Sequence, residues 1–169
     1  TAAEYQLLAG ALDEAAAGYD RALVELPGYP LAIYGQARVA YARGDLPRAV
    51  ALAESAAAAL PRPDMVAFLG DMYALGGRPD DAVDQYATVD FIAGMASSEA
   101  GPLYDREYAL FLADHGRDTG RALALAQAEL EQRQDVHGYD TLAWALHASG
   151  RSAEALGAAE QALALGTAD

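Results

Sequence analysis

The chain has 169 residues, 25 of them acidic and 11 basic, with a formal net charge of −14 at pH 7 and no cysteine. This balance excludes disulfide and thiol chemistry and argues against phosphate backbones and anionic membrane surfaces, which are gripped by clustered Lys or Arg. It favours a protein or peptide partner that is neutral or basic, mainly through the rate of encounter.

The hydrophobic fraction of 53% is largely alanine, the best helix former, and no stretch alternates apolar and polar residues over the length of a strand. An all-α chain follows. Ten helices are predicted, near 2–9, 12–26, 31–43, 46–60, 64–75, 79–95, 103–115, 118–133, 136–149 and 152–165. Asp45 and Asp64 are read as helix caps, and Pro79 suits a first helical turn. Ser97 to Pro102 reads as a loop, and the sixth helix reads as long, running through Phe91, Ile92 and Met95 to cover the neighbouring hairpin. No apolar run approaches the about 20 residues needed to span a bilayer, and Thr1 to Gly10 lacks the pattern of a signal peptide. No membrane insertion is expected; the compartment stays open, because a disulfide-free helical protein can live on either side of a bacterial membrane, with the cytoplasm favoured. All eleven basic residues are arginine and lysine is absent, a bias that suggests a GC-rich bacterial genome.

The punctuation is periodic. Gly10, Gly44, Gly77, Gly116 and Gly150 each follow one helical stretch and precede another, at spacings of 34, 33, 39 and 34 residues. About five residues beyond each glycine stands an alanine: Ala15, Ala49, Ala82, Ala122 and Ala155. Four residues further on stand Tyr19, Ala53, Tyr86, Ala126 and Ala159, and Pro27 and Pro61 close the first two units.

These residues resemble the tetratricopeptide repeat family, whose unit reads large residue, leucine, small residue and aromatic, then Ala-x₃-aromatic and a closing proline. The third unit carries Val66, Leu69, Gly70, Tyr73, Gly77, Ala82 and Tyr86; the fifth carries Tyr139, Leu142, Ala143, Leu146, Gly150, Ala155 and Ala159. The second is weaker, with Ile33, Gln36, Ala37, Ala40, Gly44, Ala49 and Ala53, and the closing proline is missing after the third, fourth and fifth units. The resemblance implies a right-handed α-solenoid of about five stacked hairpins. Its units would be 1–29 (a partial first repeat), 30–62, 63–101 with an insert, 102–135, and 136–169 with the start of a further unit. A fragment of a longer repeat protein is the expectation at both ends.

In that family the first helices of successive hairpins line a concave groove. Carrying the register over assigns Tyr34, Arg38 and Tyr41, then Phe68 and Asp71, then Arg106 and Leu110, and finally Asp140, Trp144 and His147 to protein or peptide binding. Of these, Phe68 is read as packing ahead of contact; Trp144 has packing on an adjacent hairpin or on a further unit as the competing role, and Arg106 pairing with a carboxylate. A lysine–asparagine clamp for a peptide C-terminus is disfavoured, since neither residue type occurs, which leaves Arg38 and Arg106 to hold an anion.

Nothing points to catalysis, a cofactor or a metal. His137 and His147 are about three helical turns apart, and Asp80, Asp81 and Asp84 are placed to complement a helix N-terminus. His115-Gly116-Arg117-Asp118 is better read as helix end, turn and cap than as a kinase loop, because no glycine-rich loop accompanies it. Two further roles stay open beside peptide binding. One is self-assembly through the solenoid ends or the 91–102 insert, giving a homo-oligomer. The other is service as an accessory protein to an enzyme pathway.

Overall fold

Alanine-rich sequence broken by glycine at a near-constant interval dictates short helices joined by tight turns. The computed structural model describes residues 1–99 and 104–166 and contains ten α-helices among them. These are α1 (Ala2–Leu8), α2 (Leu12–Glu25), α3 (Pro30–Ala42), α4 (Leu46–Ala59), α5 (Pro63–Leu75), α6 (Pro79–Glu99), α7 (Asp105–Asp114), α8 (Thr119–Gln132), α9 (Val136–Ala148) and α10 (Ser152–Gly166).

The five punctuating glycines all have positive φ, from 59° at Gly116 to 78° at Gly44, a conformation that costs glycine nothing. Around Gly44 the N–H of Asp45 bonds the carbonyl of Ala40 (2.9 Å) and the N–H of Gly44 bonds that of Tyr41 (2.9 Å), a Schellman ending. The same pair of bonds recurs at the other four glycines. Carboxylate caps start two of the second helices: that of Asp45 accepts from the N–H of Arg48 (3.2 Å), and that of Asp118 from Arg121 (3.0 Å). Pro79 opens α6 as expected. Asp64 does not cap α5, because the helix begins one residue before it at Pro63; its carboxylate instead accepts from Arg62 Nε (2.9 Å).

One boundary departs from expectation. α6 continues to Glu99, so Ser97, Ser98 and Glu99 are helical and not loop. No proline or glycine interrupts the run after Gly94, and Ser, Ala and Glu extend a helix at a cost of a few tenths of a kcal/mol each. The rest of the expected loop, residues 100–102, lies outside the described residues. Along this stretch Phe91 and Met95 are 66% and 44% exposed, while Ile92 is half-buried and Ala93 buried.

Contacts divide the chain into two compact units, Thr1–Val89 and Asp90–Asp169, with the boundary inside α6. In the first unit α2, α3, α4 and α5 each pack on the helix before, and the alanines at the shared register positions, Ala15, Ala49 and Ala82, are buried. Bulk is matched by its absence. A Cβ on Gly35 would lie 2.3 Å from the ring of Tyr19, so the buried Tyr19 of α2 occupies the space where α3 has no side chain. In the next pair of repeats the same register positions read Ala53 and Phe68, with large and small exchanged. A Cβ on Gly70 would meet Tyr86 at 2.5 Å, so a second tyrosine, from α6, also rests on glycine.

The tyrosine hydroxyls of these cores are given to carboxylates. Tyr19 donates to Glu4 (2.9 Å), Tyr86 to Asp71 (2.7 Å) and Tyr73 to Glu54 (2.8 Å). In the first two cases the tyrosine lies nine residues after the repeat glycine and the acid six before it, so one bond recurs in two repeats. Burial and then the Glu4 carboxylate push the Tyr19 phenol up to about 12.

In the second unit α7 packs on α8 and α9, α8 on α9, and α9 on α10. Tyr108 donates to Asp90 (2.9 Å), which also receives Arg117 (2.8 Å). Glu129 on α8 is less well served: Arg106 Nη1 stands 3.6 Å from one carboxylate oxygen, and the other oxygen is buried with no hydrogen-bond partner among the described residues. Burial, outweighing the attraction of Arg106, pushes this carboxyl above the usual range. A raised folded-state value means that Glu129 favours the fold when protonated and loses that contribution as pH rises through the folded value. Glu129→Gln is therefore expected to raise the thermal midpoint at pH 7, by a few degrees at most, and to leave it unchanged at pH 4. Thermal melts at the two pH values check this.

Candidate functional site

In the first unit, α3 and α5 bring four of the assigned residues together. Tyr34, Arg38 and Tyr41 follow one another at intervals of four and three, so they share a face of α3. Phe68 of α5 stands edge-on to both Tyr34 (ring centres 5.5 Å apart) and Tyr41 (6.1 Å). Such edge-to-face pairs contribute about 0.5–1.5 kcal/mol each beyond their burial. Phe68 thus packs on the neighbouring hairpin while completing the aromatic surface. Tyr34 is half-buried, and burial followed by the Asp64 carboxylate pushes its phenol well above the usual range. Tyr41 is 48% exposed.

Arg38 lies 5.7 Å from the centre of the Tyr34 ring and is ion-paired with Glu4 of α1. Burial pushes the Glu4 carboxyl up, but the hydrogen bonds from Arg38 and Tyr19 together outweigh it and hold the group below the usual carboxylate range. That depressed value gives a stabilising contribution present above the unfolded pKa and lost as pH falls through the folded one. Arg106 of the second unit lies near Glu107 (3.9 Å) and Glu129 (3.6 Å). Neither arginine read as an anion holder stands idle, and both face carboxylates of their own unit. Asp71, one turn after Phe68 on α5, accepts a hydrogen bond from Tyr86 (2.7 Å).

Beside Tyr34 and Arg38 opens a cleft of about 430 Å³. Small residues Ala2, Ala3, Gly18, Ala22 and Ala32 line it together with Tyr29 and Leu31, and Glu4, Arg21 and Asp64 add charged groups. Gly18 is required there, since a Cβ on it would fall 2.7 Å from that of Ala3. Sequence reasoning missed Glu4 and Tyr29. Glu4 had a signal: it stands six residues before its glycine, the register of Arg38.

In the second unit Asp140, Trp144 and His147 line one hollow of about 370 Å³ with Ala143, Leu156 and Ala159. The Trp144 indole N–H donates to Asp114 (2.6 Å), and its ring lies 5.5 Å from that of His147. Leu110 is half-buried on α7, outside this hollow.

No protein-family model and no curated protein matches the sequence. Solved structures do. Cut9, from the APC/C hetero-tetramer Cut9–Hcn1, is 20% identical, with 99% of this chain and 33% of that chain covered and a TM-score of 0.56. A variant of a kinesin light chain-like protein from Podosopora anserina, built of nearly identical TPR-like repeats, is 20% identical, covering 96% and 90%, with a TM-score of 0.50. MamA is 14% identical over 97% of this chain and 94% of its own, at 0.47. The chain spans about a third of Cut9. The fold is a TPR-type α-helical repeat. Among the described residues no helix is long and apolar enough to cross a membrane.

Proposed function

We propose that the chain is a non-enzymatic interaction module that holds a segment of a protein partner, neutral or basic in charge, against the first helices of its repeats. The observation that carries this reading is the aromatic surface of Tyr34, Tyr41 and Phe68 beside the 430 Å³ cleft. Aromatic residues with partial exposure and fixed rings are the side chains that most often dominate binding energy. The Glu4–Arg38 pair is oriented by Tyr19 and Tyr34 and supplies polar contacts at the edge of that surface.

Affinity capture from a lysate of the source organism tests it. Wild type is expected to retain a protein that a Tyr34→Ala, Arg38→Gln variant of equal helicity loses. Retention of the same protein by both would overturn the assignment of the surface.

A second reading is self-association through the 91–102 stretch, favoured by the exposure of Phe91 and Met95. It predicts a molecular mass by light scattering that rises with concentration and returns to the monomer value in Phe91→Ser. A strict monomer at every concentration would remove it.

A further inference from the structure

We propose that the hollow around Trp144 seats a cationic side chain, arginine or lysine, of the partner segment. This rests on the reading of the chain as a peptide-binding module and names the chemistry one of its sites takes. The indole of Trp144 is 45% exposed while its N–H is committed to Asp114, so the ring is held with part of its surface facing solvent. An indole is the best of the side-chain partners for a cation. Asp140 stands one helical turn before Trp144 and lines the same hollow, so carboxylates at positions 114 and 140 flank the ring.

The unit's arginines do not neutralise this site, and among the described residues the imidazole of His147 is the one basic group in its lining. Residues 90–169 carry thirteen carboxylate side chains and five arginines. All five arginines are engaged elsewhere: Arg106 beside Glu129, Arg117 on Asp90, Arg121 over the Tyr108 ring, Arg133 on Asp135 and Arg151 on Glu154. Among the described residues neither Asp114 nor Asp140 has an arginine or lysine partner. Beside His147 and Ser152 the remaining lining is apolar, from Ala143, Ala155, Leu156 and Ala159, and suits the aliphatic stem of a long basic side chain whose charged end reaches the open part of the ring and Asp140. An acidic side chain entering the same hollow would meet the Asp140 carboxylate, with that of Asp114 close by at the indole N–H.

Trp144 is the single tryptophan of the sequence, so its fluorescence reports the site directly. The probes are acetyl-Ala-Arg-Ala-amide, its lysine counterpart and its citrulline counterpart, which keeps the shape of arginine without the charge. Titrated into the whole chain, the arginine and lysine peptides are expected to change the emission saturably, and citrulline to bind about fivefold more weakly or worse. Asp140→Asn and Asp114→Asn should each weaken the arginine peptide about two- to fivefold. The second variant retains an oxygen to accept the indole N–H, which keeps the ring in place. Identical curves for arginine and citrulline, or no effect of either variant, would overturn the proposal. A flat titration would do the same while leaving partner capture through Tyr34 standing, so failure here is distinct from failure of the proposed function.

Discussion

Gly35→Ala is expected to destabilise the first unit although alanine is the better helix former. The substitution removes a glycine from the interior of α3, which taken alone favours the fold by up to about 1 kcal/mol. Against that, the new methyl would stand 2.3 Å from the Tyr19 ring, which is buried and held by its hydroxyl on Glu4. The ring cannot withdraw without giving up that hydrogen bond, and overpacking of this kind costs about 1–3 kcal/mol. The clash therefore outweighs the gain over most of that range, by a net of about 1 kcal/mol at its middle. In a Tyr19→Ala background the obstacle is gone and the same Gly35→Ala change should become stabilising. Urea titration of the wild type, both single variants and the double variant measures the coupling. A change of sign is the expected result. An effect of Gly35→Ala that is the same in both backgrounds would mean that Tyr19 does not occupy the space above Gly35.

Tyr34→Ala is expected to weaken the captured partner by about 30-fold or more, the scale of a central aromatic anchor. Tyr34 stands edge-on to the Phe68 ring and lies beside the Arg38 guanidinium, so its removal takes one of the two tyrosines from Phe68 and leaves Tyr41 alone against it. Tyr34→Phe keeps the ring and loses a long hydrogen bond to the Asp64 carbonyl (3.5 Å), so its binding should stay within about threefold of wild type. Isothermal titration with the purified partner separates the two. Equal losses in Phe and Ala variants would place the energy in the hydroxyl and not in the aromatic surface.

Most of the fold was legible because its signals are local. A glycine that must take positive φ, an aspartate that caps and an alanine at a fixed offset each act within one or two turns, and the helices follow at nearly the expected bounds. The end of α6 was missed because Ser97, Ser98 and Glu99 are tolerated in a helix and carry no stop signal. The matching of Tyr19 to Gly35 was not legible, since it depends on which register positions meet between repeats. The same holds for the partners of Arg38 and Trp144. Glu4 and Asp114 lie 34 and 30 residues away from them, and a spacing near one repeat names a neighbouring helix without saying which side chains touch. Sequence could assign Arg38 to a face of α3, but the discovery that it is already paired needed the stacking itself.

The central claim is that the partner lies on the first-helix surface around Tyr34, Tyr41 and Phe68. Photocrosslinking tests it most directly, with p-benzoylphenylalanine placed in turn at Tyr41, which is 48% exposed on α3, and at Val83, which is 62% exposed on α6. Irradiated in a lysate of the source organism, the chain should trap a partner from position 41 that it does not trap from position 83. A partner trapped from position 83 and absent from position 41 would contradict the account.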